Sequence, residues 1–235
     1  MRTPSPHSPP AATAPGCKRC GTCCRKGGPI LHRPDRELVE AGHLPADALV
    51  TLRRGETVFD PLTGRAAPNP GEAIKIRGRT DADWHCIFHD EAHGCRIYSH
   101  RPSQCRALQC WAPEALAALY TRERLTRRHL LGAQAELWDL LTEHAERCDL
   151  PRLRELAVRL TRDPTAVEAI SRMLAYDQAL RTTLVESGRI RPEHLDFLLG
   201  RPLERILPDV GLRLEVGAGG ARRLVRTTRR ERGQG

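Results

Sequence analysis

The sequence predicts an α+β fold that is mainly α: a small irregular domain with short hairpins, followed by a helical C-terminal region. Three observations carry that expectation. Eight of the nine cysteines precede residue 111, in a stretch repeatedly broken by Pro, Gly and Asn. Within that stretch, alternating runs such as Ala73-Ile74-Lys75-Ile76-Arg77 have the period of a strand. Beyond Cys110 the apolar residues take up helical spacing. A chain of 235 residues buries a core without covalent staples. Aromatics make up only 4%, so that core falls to Leu, Ala and Val.

Taken in order, residues 1–16 are rich in Pro, Ala, Ser and Thr and predict a disordered arm, since they hold too little apolar surface to order themselves. Residues 17–111 form the predicted cysteine-rich domain. Over 34–55 there are two short helical patterns, one opened by Pro34-Asp35 and ended near Gly42, the next opened by Pro45 with Asp47 in its first turn. Residues 57–79 predict a hairpin that pairs Val58-Phe59 with the Ala73 run across a turn from Pro61 to Gly71. A second hairpin pairs Cys86-Ile87-Phe88 with Arg96-Ile97-Tyr98, which brings Cys86 and Cys95 together.

Residues 112–207 predict a helical region. Pro113 starts a long helix to about residue 146, and further helices cover 151–160, 165–187 and 192–199, with Gly188 and Gly200 as stops. Residues 208–235 predict a hairpin of Leu212 to Val216 with Arg222 to Arg226 around a Gly-rich turn, then a basic tail with Arg229, Arg230 and Arg232.

No run approaches the roughly 18 apolar residues of a spanning helix, and residues 1–16 do not resemble a secretory signal. A cytoplasmic protein away from membranes is the expectation. Cytosolic thiols stay reduced, so clustered cysteines there point to metal or redox chemistry rather than to disulfides. The net charge of +9 and pI near 9.4 would ordinarily suggest an anionic partner. Eight metal-bound thiolates, offset by two metal centres, bring it to roughly +5, which weakens a nucleic-acid reading.

In Cys17-Lys-Arg-Cys20-Gly21-Thr-Cys23-Cys24, two-residue spacings let successive thiolates converge, and Gly21 lets the backbone turn. Neighbouring side chains diverge by about 100° on a helix, so Cys23 and Cys24 are expected in two shells or in one polynuclear cluster. With Cys86, Cys95, Cys105 and Cys110 the set reaches eight, the number of two four-thiolate shells. Cys110 is included mainly by that count. His85, His89, His93 and His100 could each stand in for a cysteine, although a polar turn explains the first three more simply. Cys148, isolated beyond a long helix, reads as a thiol rather than a ligand.

These residues resemble the bacterial and archaeal CxxCxxCC family of zinc- or iron-chelating proteins. The resemblance rests on Cys17, Cys20, Cys23 and Cys24, on Cys86 followed by Ile-Phe, and on Cys95-Arg-Ile-Tyr98-Ser-His-Arg101-Pro102-Ser-Gln-Cys105-Arg106. It covers about residues 17–111 and implies metal ions as partners, with zinc or iron as cofactor. Ala107-Leu108 replaces the Pro-Phe of many members. The family is similar in part to flagellin lysine methylases, yet no glycine loop of the S-adenosylmethionine type occurs here.

Pro102 is expected to start a helix that sets Cys105 near free amides, which favours its thiolate, with Arg101 and Arg106 beside the sulfurs. Tyr98 is expected to pack on the cluster wall. Zinc and an iron–sulfur cluster share thiolate ligands, so both stay open. Three functions follow: a metal-binding protein, an iron–sulfur redox or modification enzyme, and a zinc module presenting its Arg-rich end to nucleic acid. No catalytic residue is assigned, and an unidentified protein partner stays open.

Overall fold

The computed structural model describes residues 17–60, 63–80, 83–110, 112, 114–120, 122–217 and 222–227. The expected arm at 1–16, Pro61, Pro113, the Gly-rich turn at 218–221 and the basic tail at Arg229, Arg230 and Arg232 lie outside them. The fold is α+β with mainly helical content, short antiparallel pairs and a helical C-terminal region.

The N-terminal half comprises α1 (Thr22–Arg25), α2 (Arg36–Glu40), β1 (Leu49–Leu52), β2 (Thr57–Asp60), β3 (Arg65–Pro68), β4 (Ala73–Ile76), β5 (His89–Asp90), β6 (Gly94–Cys95) and α3 (Ser103–Ala107). The first helical pattern forms as a 3-10 turn, Arg33–Asp35, running into α2 and followed by Gly42 at φ 75°. The second does not become a helix. A 3-10 turn at Ala46–Ala48 leads into β1, whose four residues are all buried. Burial of that Leu-Val-Thr-Leu run against β4 overrides its weak helical pattern.

The strand partners also differ from expectation. β4 pairs with β1 in the register Leu49↔Ile76 to Leu52↔Ala73, while β2 pairs with β3, which lies inside the stretch expected to be turn. Ile74 and Ile76 share one buried cluster with Leu31, Leu44 and Leu49, and this joint burial sets the pairing. The second hairpin forms one step further in than expected, as His89↔Cys95 and Asp90↔Gly94. Phe88 still accepts the Arg96 amide at 2.9 Å.

The long helix expected to 146 is broken into α4 (Glu114–Tyr120), α5 (Arg127–Leu130) and α6 (Ala135–Arg147). The cause is tertiary: the Leu125 amide donates to Leu31 (2.9 Å) and the Leu125 carbonyl accepts from Ile74 (3.0 Å), so this segment is held extended. Gly132 at φ 63° marks the second break.

The remaining helices, α7 (Leu150–Arg159), α8 (Pro164–Glu186) and α9 (Leu195–Leu199), follow the expected pattern. Asp149 and Asp163 cap α7 and α8 by accepting the Arg152 and Thr165 amides, each at 3.0 Å. A short α10 (Leu203–Ile206) and a 3-10 turn lead to β7 (Leu212–Val216), which pairs with β8 (Arg222–Arg226) as expected. One buried cluster joins both halves, since Leu31, Leu49, Ile74 and Cys86 pack with Leu125, Leu141, Leu184 and Leu199. The helical region thereby backs the cysteine region directly.

Candidate metal centre

The loop of the first four cysteines has little regular structure to hold it. Cys17 and Cys20 are exposed. The chain turns through Arg19 at φ 55° and Gly21 at φ 72° into α1, a single helical turn carrying Cys23 and Cys24. Gly21 is required there because its φ is left-handed and a Cβ would collide with the His89 imidazole. A hydrogen bond from Thr22 lowers the Cys20 thiol below its usual range.

Cys23 and Cys24 do not diverge as their adjacency implies: their Sγ atoms lie 3.9 Å apart. A tetrahedral ion with metal–sulfur bonds of about 2.3 Å has sulfur–sulfur edges of about 3.8 Å, so one ion can accept both. Side-chain rotamers offset the divergence at the backbone. The pair also shares one proton. Cys24 donates to Cys23, which draws the Cys23 thiol well down, while the same bond, burial and the neighbouring charges of Cys23, Cys86 and Cys95 push Cys24 up.

Cys86 reaches this pair through the backbone, its amide donating to the Cys24 carbonyl at 2.9 Å. Cys95 stands on β6 and Cys105 on α3. Burial raises the thiols of Cys86 and Cys95 and pushes Cys105 up to about 12, each being further raised by its cysteine neighbours. The expected stabilisation of a Cys105 thiolate by helix amides is therefore outweighed by burial, and Pro102 is the residue before α3 rather than its first. Five cysteines from four separate segments thus act on one another: Cys23, Cys24, Cys86, Cys95 and Cys105. Cys110 is exposed and does not figure among the dominant charges at these five.

Three cations serve the group, Arg19 acting on Cys95. Arg101 acts on Cys23, Cys95 and Cys105, and it stacks on Tyr98 with Arg19, both guanidinium carbons 3.8 Å from the ring centroid. Lys75, which the sequence presents only as the polar member of a strand, donates to the Gly28 carbonyl and feels the charges of Cys86 and Cys105. Burial lowers its ammonium to about 8. Arg106 turns elsewhere, to Ser103 (3.1 Å) and Asp35 (3.8 Å), because the buried Asp35 carboxylate competes for it. Arg25 bonds to the Cys20 carbonyl (2.8 Å) and Glu91 (3.3 Å).

A clasp missed from the sequence orients α3. Asp35, fully buried, accepts the Ser103 amide and hydroxyl, each at 2.7 Å, and the His32 amide at 2.9 Å. Beside it, Gln104 accepts the Ile30 amide at 3.0 Å. The capping position of Asp35 after Pro34 gives a local signal, but its partner 68 residues away gives none.

A second group of donor residues lies in the helical half. His144, Cys148 and Asp177 are buried, with ligand atoms within 4.8 Å of one another. Among the described residues no three sulfurs of the cysteine cluster approach one another that closely. Asp177 is already engaged, accepting from His144 (2.8 Å), Arg181 (3.1 and 3.2 Å) and the Leu203 amide (2.9 Å). Burial works against its charge, but these donors hold it down at about 2. Burial keeps His144 neutral by lowering its imidazole, and it pushes the Cys148 thiol up to about 12.

Residues 16–129 match the sequence model of the CxxCxxCC family, described as a "putative zinc- or iron-chelating domain". The match holds all eight cysteines before residue 111, ends within α5 and spans just under half of the chain. No curated protein and no solved structure matches. The match supports metal binding, with zinc or iron as the metal. Among the described residues no helix is long and apolar enough to cross a membrane.

Proposed function

We propose that this is a metal-binding protein of the cytoplasm whose N-terminal half is organised by zinc or iron on Cys17, Cys20, Cys23, Cys24, Cys86, Cys95, Cys105 and Cys110. The observation that carries the reading is the convergence of Cys23, Cys24, Cys86, Cys95 and Cys105, anchored by the bond from the Cys86 amide to the Cys24 carbonyl. Without metal, burial raises the thiols of Cys86, Cys95 and Cys105, although backbone amides at Phe88 and Ile97 bond to the first two. A soft divalent metal replaces the thiol protons and converts the group into a cross-link between distant segments. Lys75 and Arg101 offset the remaining negative charge. Cys17 and Cys20, on the exposed loop, close over the metal as it binds, and Cys110 is the most peripheral ligand.

Substituting Cys20 or Cys95 by Ser tests this. Metal content and protease resistance of residues 17–111 fall together if binding organises the fold, and unchanged metal content in both variants overturns it.

A polynuclear iron–sulfur centre is the second reading. It is favoured because, among the described residues, no three cysteine sulfurs lie within 4.8 Å of one another, as one tetrahedral shell would need. That version requires acid-labile sulfide and a visible band that bleaches with dithionite.

A further inference from the structure

Among the histidines near the cysteines, His89 differs from its neighbours. His93 is exposed and bonded to Asp90 at 2.9 Å, and His100 stacks on His43 with centroids 3.6 Å apart. His85 shares with His89 a buried Nδ1 that lacks a hydrogen-bond partner and lies 3.9 Å from Glu91, but its side chain is 31% exposed. The His89 side chain is only 3% exposed, although it stands on a two-residue strand in a polar turn. Among the described residues neither of its ring nitrogens makes a hydrogen bond. Its Nδ1 is shielded from solvent without a hydrogen-bond partner, which costs free energy unless something else satisfies the ring.

Its placement says what that is. His89 pairs directly with Cys95 across β5 and β6, and residues opposed in an antiparallel pair project from the same face. Nε2 lies over Gly21, between Cys20 and Cys23 in the loop, close enough to exclude any side chain at that position. The other nitrogen, Nδ1, is 3.7 Å from a carboxylate oxygen of Glu91, whose second oxygen is held by Arg25 at 3.3 Å. Metal-binding histidines characteristically present one nitrogen to the ion and the other to a carboxylate that fixes tautomer and ring orientation.

We propose that His89 is a nitrogen ligand of the metal centre, binding through Nε2 alongside thiolates of the Cys20–Cys23 loop and Cys95, with Glu91 as its orienting carboxylate. The proposal rests on the chelation reading above. It makes at least one shell a mixed sulfur–nitrogen shell and makes the glycine after Cys20 a seat for the imidazole. A mixed shell carries one negative charge fewer than four thiolates, which suits a site with few buried cations.

The test uses the full chain loaded with Zn²⁺ and, separately, Co²⁺. In zinc-loaded protein with ¹⁵N-labelled histidine, the Nε2 resonance of His89 shifts to the metal-bound position while His85 and His93 keep their metal-free pattern. In cobalt-loaded protein the ligand-field bands move between wild type and His89→Cys, and the variant gains sulfur-to-cobalt charge-transfer intensity from one more thiolate. Glu91→Gln keeps the same bands with roughly tenfold to hundredfold weaker affinity in chelator competition. If purified protein carries iron and sulfide, nitrogen hyperfine coupling in the reduced centre, absent in His89→Cys, is the equivalent result. An unshifted His89 resonance, or identical bands in wild type and His89→Cys with metal bound, overturns the ligand assignment and leaves chelation standing. A wild type that takes up neither cobalt, zinc nor iron overturns both.

Discussion

The two groups of potential metal donors in this molecule are built in opposite ways. His144, Cys148 and Asp177 sit close together on α6, the turn after it and α8, where every Asp177 oxygen already accepts a protein donor. Arg53 and Arg181 add positive charge beside them. The cysteine group has looser spacing, burial that raises Cys86, Cys95 and Cys105, and the cations Lys75, Arg101 and Arg19 beside it, which suit an anionic centre. Proximity of donors therefore does not distinguish a metal site from a folding lock. The company of the donors does: a carboxylate saturated by arginine, histidine and an amide stabilises the apoprotein, whereas the thiols are drawn from four distant segments and lie beside cations suited to an anionic centre.

The comparison breaks most visibly at Asp177. Asp177→Ala leaves Arg181 and the Leu203 amide buried without their acceptor, and thermal or urea unfolding is expected to show a loss of about 3 to 5 kcal/mol. A loss below about 1 kcal/mol would mean that the carboxylate is not the lock described. Asp35→Ala comes next, since it frees the Ser103 and His32 amides. A cost of about 1 to 3 kcal/mol is expected, with weaker metal retention because α3 positions Cys105. Retention unchanged from wild type would separate the clasp from the centre.

The smallest effect is on pH dependence. His144 has a folded-state imidazole lowered from its ordinary value, so the unfolded chain binds more protons as pH falls below about 6.5. Its contribution is fully present above that pH and declines as pH drops toward the folded value. His32, lowered by burial, acts in the same sense. Unfolding measured between pH 7 and 5 should show this slope, and His144→Gln should reduce it. An equal slope in the variant would assign the effect to other groups.

How far the sequence revealed this structure depends on the range of the interaction. The helices α7 and α8 and the closing hairpin were legible, because Pro, capping Asp and Gly punctuate them locally. The break at Leu125 was not, since its cause is backbone pairing to Leu31 and Ile74 far away in the chain. The strand β4 was legible, while its partner was not, because β1 reads locally as the continuation of a helical turn. Within the candidate site, the spacing of Cys17, Cys20, Cys23 and Cys24 marked the chemistry. The roles of Lys75, Asp35 and Asp177 were not legible from it, as each rests on a partner distant in sequence: the cysteines, Ser103 and His144. The expected divergence of Cys23 and Cys24 failed for a different reason: backbone direction does not fix where a rotatable thiol ends.

The most direct measurement is elemental analysis of anaerobically purified wild type, Cys148→Ala and Cys95→Ala, for zinc, iron and acid-labile sulfide. Wild type and Cys148→Ala should hold zinc or iron in equal stoichiometry, and Cys95→Ala should lose it. Metal lost from Cys148→Ala but kept by Cys95→Ala, or no metal in wild type, would contradict the assignment of the centre to the cysteine cluster.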